Sequence, residues 1–246
     1  VVFAHMDEIE IDMLGRVHTF CHAVPGAWHV MGVTQGAGLS LKWFRDNFCI
    51  EEMRTAELMG IDPYVLMDKE AAKIPAGSEG VIYLPYLMGE RTPHLDPDAK
   101  GVFFGLSAAH NKGHMIRAVL EGVVYSLRDC MEIIRGMGIK ASQVRASGGG
   151  GRSPIWRQMQ ADMFRTDICT INSSEGPALG VAILAGVASG VYDDVVSACE
   201  RIISVRETQG TDEESALVYD RYYKIFQSLY NSLKDEFKDL AGAMGE

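Results

Sequence analysis

Apolar residues in the first third of the chain come in short runs separated by turn signals, not in long helical stripes. Val1, Val2, Phe3 and Ala4 open as a strand. Residues 16–24, rich in β-branched and aromatic side chains, and residues 28–33 predict two more strands on either side of Pro25-Gly26. The three together predict an antiparallel meander. A helix is expected over 40–48, with Leu41, Phe44 and Phe48 on one face. Two short helical patterns follow between 51 and 75, broken at Asp62-Pro63 and at Pro75. A strand at 81–84 then runs into the polar, turn-rich segment 85–100, a length of loop that is usually functional or mobile.

From residue 101 the pattern changes to alternating strands and helices. A strand at 102–104 precedes a helix over 112–135, whose apolar positions 116, 119, 120, 123, 124, 127, 131 and 134 keep the 3.6-residue period and predict a central element. Strands at 144–147 and 168–171 flank a helix at 154–164. The 15-residue apolar run at 177–191 is too short to span a bilayer and predicts a buried helix. The last helix carries Tyr222, Phe226, Leu229, Leu233, Phe237 and Leu240 on one face, so it is expected on the surface. A meander followed by βα units predicts a mixed α/β fold, with ligands near loops that leave strand ends.

Composition agrees with a folded chain: 246 residues, 47% hydrophobic and 23% charged. Acidic residues outnumber basic ones 33 to 23, which argues against nucleic acid or an anionic membrane surface as partner. The five cysteines, Cys21, Cys49, Cys130, Cys169 and Cys199, are widely spaced and mostly in apolar stretches, as expected of reduced core thiols in a cytoplasmic protein. No secretory leader pattern is present at the start. An opening on four apolar residues reads as a core strand cut from a longer protein, with proteolytic maturation as the alternative.

The strongest chemical signal is the segment 146–156, Ala-Ser-Gly-Gly-Gly-Gly-Arg-Ser-Pro-Ile-Trp, between a predicted strand and a predicted helix. Glycine allows close backbone approach, and the helix start beyond it presents unpaired N–H groups, so Gly148, Gly149, Gly150 and Ser153 suit a phosphate or a nucleotide. The spacing fits neither the dinucleotide fingerprint nor the P-loop, and Ser153-Pro154 also suits plain helix initiation, so a tight structural turn stays open. A second glycine site at 36–42 offers Gly38 and Lys42. A lysine on a first helical turn opposes the dipole, a mild pointer to a ligand role, but on the residues alone a solvated lysine is the better reading. The third, at 174–180, reads as close helix packing. His18 and His22, four apart in a strand, would stand about 13 Å apart and make no zinc pair, and no catalytic or metal-ligating set is evident.

Several segments together resemble the FGGY carbohydrate kinases: Gly101-Val-Phe-Phe-Gly-Leu106 followed after seven residues by His114-Met-Ile-Arg-Ala-Val-Leu-Glu121, with residues 85–94, residues 147–158 and Ala161-Asp162. The resemblance implies a ribonuclease-H-like domain of the actin, Hsp70 and hexokinase type. It makes residues 1–246 the C-terminal, nucleotide-binding domain of a kinase whose sugar-binding N-terminal domain lies outside this chain. It implies ATP as phosphoryl donor, with magnesium and the catalytic aspartate held mostly by that other domain, and a ketopentose such as D-xylulose as acceptor. Ribulose, L-ribulose, gluconate and glycerol are rival acceptors. Gly38, Lys42, Gly148, Gly149, Gly150 and Ser153 match nucleotide-contacting positions, although a glutamine is common at position 42 and an alanine at 151. The partners it implies are ATP or ADP, the N-terminal domain and, as an open case, a second copy in a homodimer. The resemblance places the active site in the cleft between the two domains, and residues 90–98 are expected to line either that cleft or a subunit contact. The alternative from another class is a noncatalytic nucleotide-binding module of the actin or Hsp70 type.

Overall fold

The three opening strands are antiparallel, as expected, but their order differs. β1 (Val2–Met6), β2 (His18–Cys21) and β3 (Trp28–Gly32) form a sheet in the order β1-β3-β2, so β3 lies in the middle and the expected meander is corrected. The connections explain this. β2 and β3 are joined by a tight hairpin at Pro25-Gly26, with His22 N–H donating to the Ala27 carbonyl at 3.0 Å. Residues 7–17 instead make a long link, folded on itself by Arg16, whose main-chain N–H and guanidinium donate to the Asp12 carboxylate at 2.7 to 3.0 Å. Those bonds hold the Asp12 carboxyl down at about 2. A link of this length frees β2 to reach the far edge of β3. The computed structural model describes residues 1–173 and 176–245.

Next come α1 (Ala37–Phe48), α2 (Ile50–Met59) and α3 (Pro63–Ala71), the last started by Asp62, whose carboxylate accepts from Tyr64 N–H at 3.0 Å. β4 (Ile82–Leu84) and β5 (Val102–Phe104) pair antiparallel. α4 (Lys112–Gly136) starts at an Asn111 capping box and threads the centre, burying Ile116, Val119, Leu120, Val123 and Val124. Its Arg117 and Glu121 are buried too. Arg117 donates to Glu121 at 2.7 Å and to the Tyr219 hydroxyl at 2.7 Å, while Glu121 accepts from Gly77 N–H and the Ser78 hydroxyl. Every lone pair and N–H of consequence is thus answered, the condition under which a buried ion pair is tolerated.

The remainder runs β6 (Val144–Arg145), α5 (Gly148–Arg152), α6 (Pro154–Phe164), β7 (Ile168–Ile171), α7 (Gly176–Ala188), α8 (Val195–Ile202), β8 (Val205–Gln209) and α9 (Glu213–Met244). β7 pairs parallel with β6 and antiparallel with β8. Two expectations fail here. The apolar helix is not buried: α7 buries Ile183 and leaves Val181 67% and Leu184 42% exposed, because among the described residues it packs mainly on α8. Ser174 and Glu175 of the motif before it lie outside the described residues. Among the cysteines, Cys49, Cys130 and Cys169 are buried as expected, but Cys21 sits exposed on the edge strand β2. α9 packs Tyr219, Tyr223 and Phe226 inward and charges outward. No described helix is long and apolar enough to cross a membrane.

Candidate functional site

A cleft of about 1700 Å³ lies between the β1–α3 region and the α5–α6 region, larger than the roughly 300–1,000 Å³ of an ordinary ligand pocket. Its walls are the outer edge of β1, the α1 and α3 starts, the α5 turn with the head of α6, and apolar side chains of α4. β1 and β6, each paired on one side only among the described residues, both border it, which accounts for its size.

Gly38 faces this cleft from the first turn of α1. The helix has Gly36 as N-cap and no side-chain cap, so its leading N–H groups are not answered by a side chain at that position. Gly36 is there for space: a Cβ on it would sit 1.7 Å from the Pro85 carbonyl oxygen. A Cβ on Gly38 would meet nothing within 4 Å, so that glycine looks onto open cleft. Lys42 is placed otherwise than expected. Because α1 begins at Ala37, Lys42 stands on the second turn, its ammonium pairs with Asp46, and it is not part of the cleft wall. The dipole argument for a ligand role falls with that placement.

Across the cleft, the glycine run forms the short helix α5 in place of an irregular turn. Gly148 enters it at φ 68°, a backbone conformation that suits glycine, and is not among the residues that line the cleft. Gly149 and Gly150 line it. A Cβ on Gly149 would meet nothing within 4 Å, whereas one on Gly150 would stand 3.3 Å from the Trp156 ring. The turn is held from behind by Arg157, which donates to the Gly151 carbonyl at 2.8 Å and to Glu207 at 2.6 Å.

Ser153 initiates α6 as read from the sequence, with Pro154 in the first turn and its hydroxyl oxygen accepting from Trp156 N–H at 3.2 Å. It also lines the cleft, beside Asp68 of α3. Burial pushes the Asp68 carboxyl up, and a hydrogen bond from Ser153 opposes that rise. Asp68 was not found by sequence reasoning, since an acidic residue in a short amphipathic helix reads as a solvated one. Residues 85–100 are not part of the wall of this cleft within the chain. They pack on the β3–α1 connection and on α9, where His94 stacks on Tyr230 at 3.4 Å between ring centroids and Tyr230 donates to Asp96 at 2.9 Å. Burial lowers His94 to about 4.

The site therefore joins Gly38, Gly149, Gly150 and Ser153, and leaves Lys42 and Gly148 outside. Its open glycine surfaces leave room for a flat or phosphorylated ligand against bare backbone. Among the described residues no group of three His, Cys, Asp or Glu side chains is arranged to hold a metal ion.

The profile of the FGGY family of carbohydrate kinases, C-terminal domain, matches residues 7–189. The chain is 34% identical over 235 residues to the xylulose kinase of Bacillus subtilis, covering 96% of this chain and 45% of that protein. It is 38% identical over 240 residues to the gluconokinase of Bacillus licheniformis, covering 96% and 46%. The solved structure of a xylulose kinase from Lactobacillus acidophilus superposes with a TM-score of 0.80 at 26% identity, covering 97% of this chain and 46% of that one. The chain thus spans about half the length of the relatives it matches, and its mixed sheets and helices are those of the ribonuclease-H-like fold shared by such kinases. By profile, identity and fold alike, the chain belongs to the FGGY family of carbohydrate kinases and corresponds to its C-terminal domain.

Proposed function

We propose that residues 1–246 are the nucleotide-binding half of an ATP-dependent kinase that phosphorylates a small sugar, with D-xylulose as the first candidate. The observation that supports this most is the convergence of Gly38 and Gly149, distant in sequence, on one cleft with empty space where each would carry a side chain. Bound ATP would supply the γ-phosphoryl group that passes to a sugar hydroxyl. The chain's own part is to bind and orient. Gly38 and Gly149 admit close contact with main-chain N–H groups, and the uncapped start of α1 favours negative charge. Ser153 and Asp68 provide a hydroxyl and a carboxylate for polar edges of the nucleoside. Gly150, backed by the Trp156 ring, gives a flat wall.

Phosphoryl transfer depends chiefly on positioning and charge stabilisation, and two domains closing on each other exclude competing water. We assign sugar binding, the base and the magnesium ligands to the other half of the longer protein. Xylulose kinases among the relatives favour D-xylulose, and gluconokinases support gluconate as a second reading. The test is ADP formation by the longer protein containing this chain, with ATP-magnesium and each sugar in turn. Preference for D-xylulose is expected. Preference for gluconate would replace the substrate, and ATP binding without turnover on any sugar would contradict the kinase reading.

A further inference from the structure

Glu90 is a carboxylate buried to 3% exposure that forms no ion pair with a lysine, arginine or histidine among the described residues. Its charge is answered by neutral donors instead. Oε1 accepts from the main-chain N–H of Gln35 at 3.0 Å and of Arg91 at 2.7 Å. Oε2 accepts from the hydroxyls of Thr34 at 2.9 Å and Ser126 at 3.1 Å. Burial pushes the Glu90 carboxyl up, and the hydrogen bonds from Arg91, Gln35, Thr34 and Ser126 oppose that rise.

The donors converge on the residues that join β3 to α1. Thr92 holds the residue before them on both sides: its N–H donates to the Val33 carbonyl at 2.9 Å, and its hydroxyl accepts from Val33 N–H at 3.1 Å. The same hydroxyl donates to the Arg16 carbonyl at 2.7 Å. Gly36 then presses on the Pro85 carbonyl. From Val33 to Gly36, each residue is therefore gripped by the segment 85–92, with Ser126 of α4 bracing the same group. Two residues further on is Gly38, open to the cleft.

A buried carboxylate with no lysine, arginine or histidine paired to it is a poor device for stability, because an apolar side chain of similar volume fills the space at lower desolvation cost. What the carboxylate adds is geometry: two oxygens that fix two chain segments through their main-chain N–H groups. We propose that Glu90 is a positioning residue for the nucleotide, setting the height and tilt of the α1 start so that Gly38 stands at contact distance from the ligand. The proposal rests on the nucleotide reading of the cleft. It gives the irregular segment 85–100 a task that neither of the two sequence expectations for it included.

The experiment uses the longer protein and measures KM for ATP and for the sugar separately. Glu90→Leu keeps most of the volume and removes the acceptors, and is expected to raise the ATP KM about tenfold or more while the sugar KM moves less than about twofold. Glu90→Gln keeps an acceptor for the two main-chain N–H groups and is expected to recover most of that loss. A purely structural role would lower thermal stability and leave the two KM values together. Should Glu90→Leu fail to fold, Thr34→Val, which deletes one hydroxyl donor without changing shape, is expected to raise the ATP KM about threefold and decides the matter. An ATP KM unchanged in every variant that folds overturns the positioning role alone. A wild-type enzyme with no saturable dependence on ATP overturns the nucleotide reading on which it stands.

Discussion

α4 and α7 part company: α4 is the central helix its apolar period predicts, whereas α7, predicted as buried, is not. α4 carries Arg117, Glu121 and Asp129 and yet is the most enclosed helix of the described structure, while α7 is almost wholly apolar and leaves most of its surface exposed. The difference lies in what surrounds each helix. Charged groups on α4 meet partners from several elements: the turn at 77–78, α9 and the tail of α3. Apolar groups on α7 meet α8 and little else among the described residues. Hydropathy states what a side chain would gain from burial, and the available neighbours decide whether it is buried.

The contrast breaks most sharply at Glu121. Glu121→Ala leaves the Arg117 guanidinium buried without its carboxylate and is expected to cost about 3–5 kcal/mol by chemical denaturation. A loss below about 1 kcal/mol would mean that the network is not what stabilises α4.

Asp129 gives an effect that depends on pH. Its carboxyl accepts from the Tyr223 hydroxyl at 2.6 Å, and burial raises it from 3.8 to about 6. The folded chain therefore holds a proton that the unfolded chain releases at lower pH. Its contribution to stability is complete below pH 4 and is lost as pH rises through 6. Asp129→Asn should remove that loss, giving about 2–3 kcal/mol less decline than the wild type between pH 4 and 7.5 in matched denaturation curves. Parallel curves would contradict it.

The smallest expected effect is on α7. Val181→Lys combined with Leu184→Lys should change the stability of the 246-residue chain by no more than about 0.5 kcal/mol, while reducing its self-association by light scattering. A large destabilisation would show that α7 is enclosed after all.

These two helices also mark where the sequence was legible. The period of α4, the cap and proline of α6 and the one-sided stripe of α9 are local signals, and each leads to the observed element. The strand order β1-β3-β2 is set by an eleven-residue link whose Asp12–Arg16 fold leaves no periodic trace. α5 runs against glycine's poor helix propensity and depends on Arg157 gripping its last turn from another helix. β8 is mostly polar and takes its shape from its pairing with β7, whereas α8 does carry a local signal, the Asp194–Ser197 capping box, that the sequence reading passed over. At the site, the glycines and Ser153 were readable because helix starts have residue signatures. Asp68 and Glu90 were not, because a carboxylate's burial depends on elements far along the chain.

The most direct test of the cleft as a nucleotide site is calorimetric titration of ATP into the longer protein and its Gly38→Val and Gly149→Val variants, with a thermal melt of each. Both glycines face empty space, so the added side chains should leave the melting temperature nearly unchanged. They should weaken ATP binding about tenfold or more by occupying the surface that the nucleotide needs. Unchanged ATP affinity in both variants would contradict the assignment.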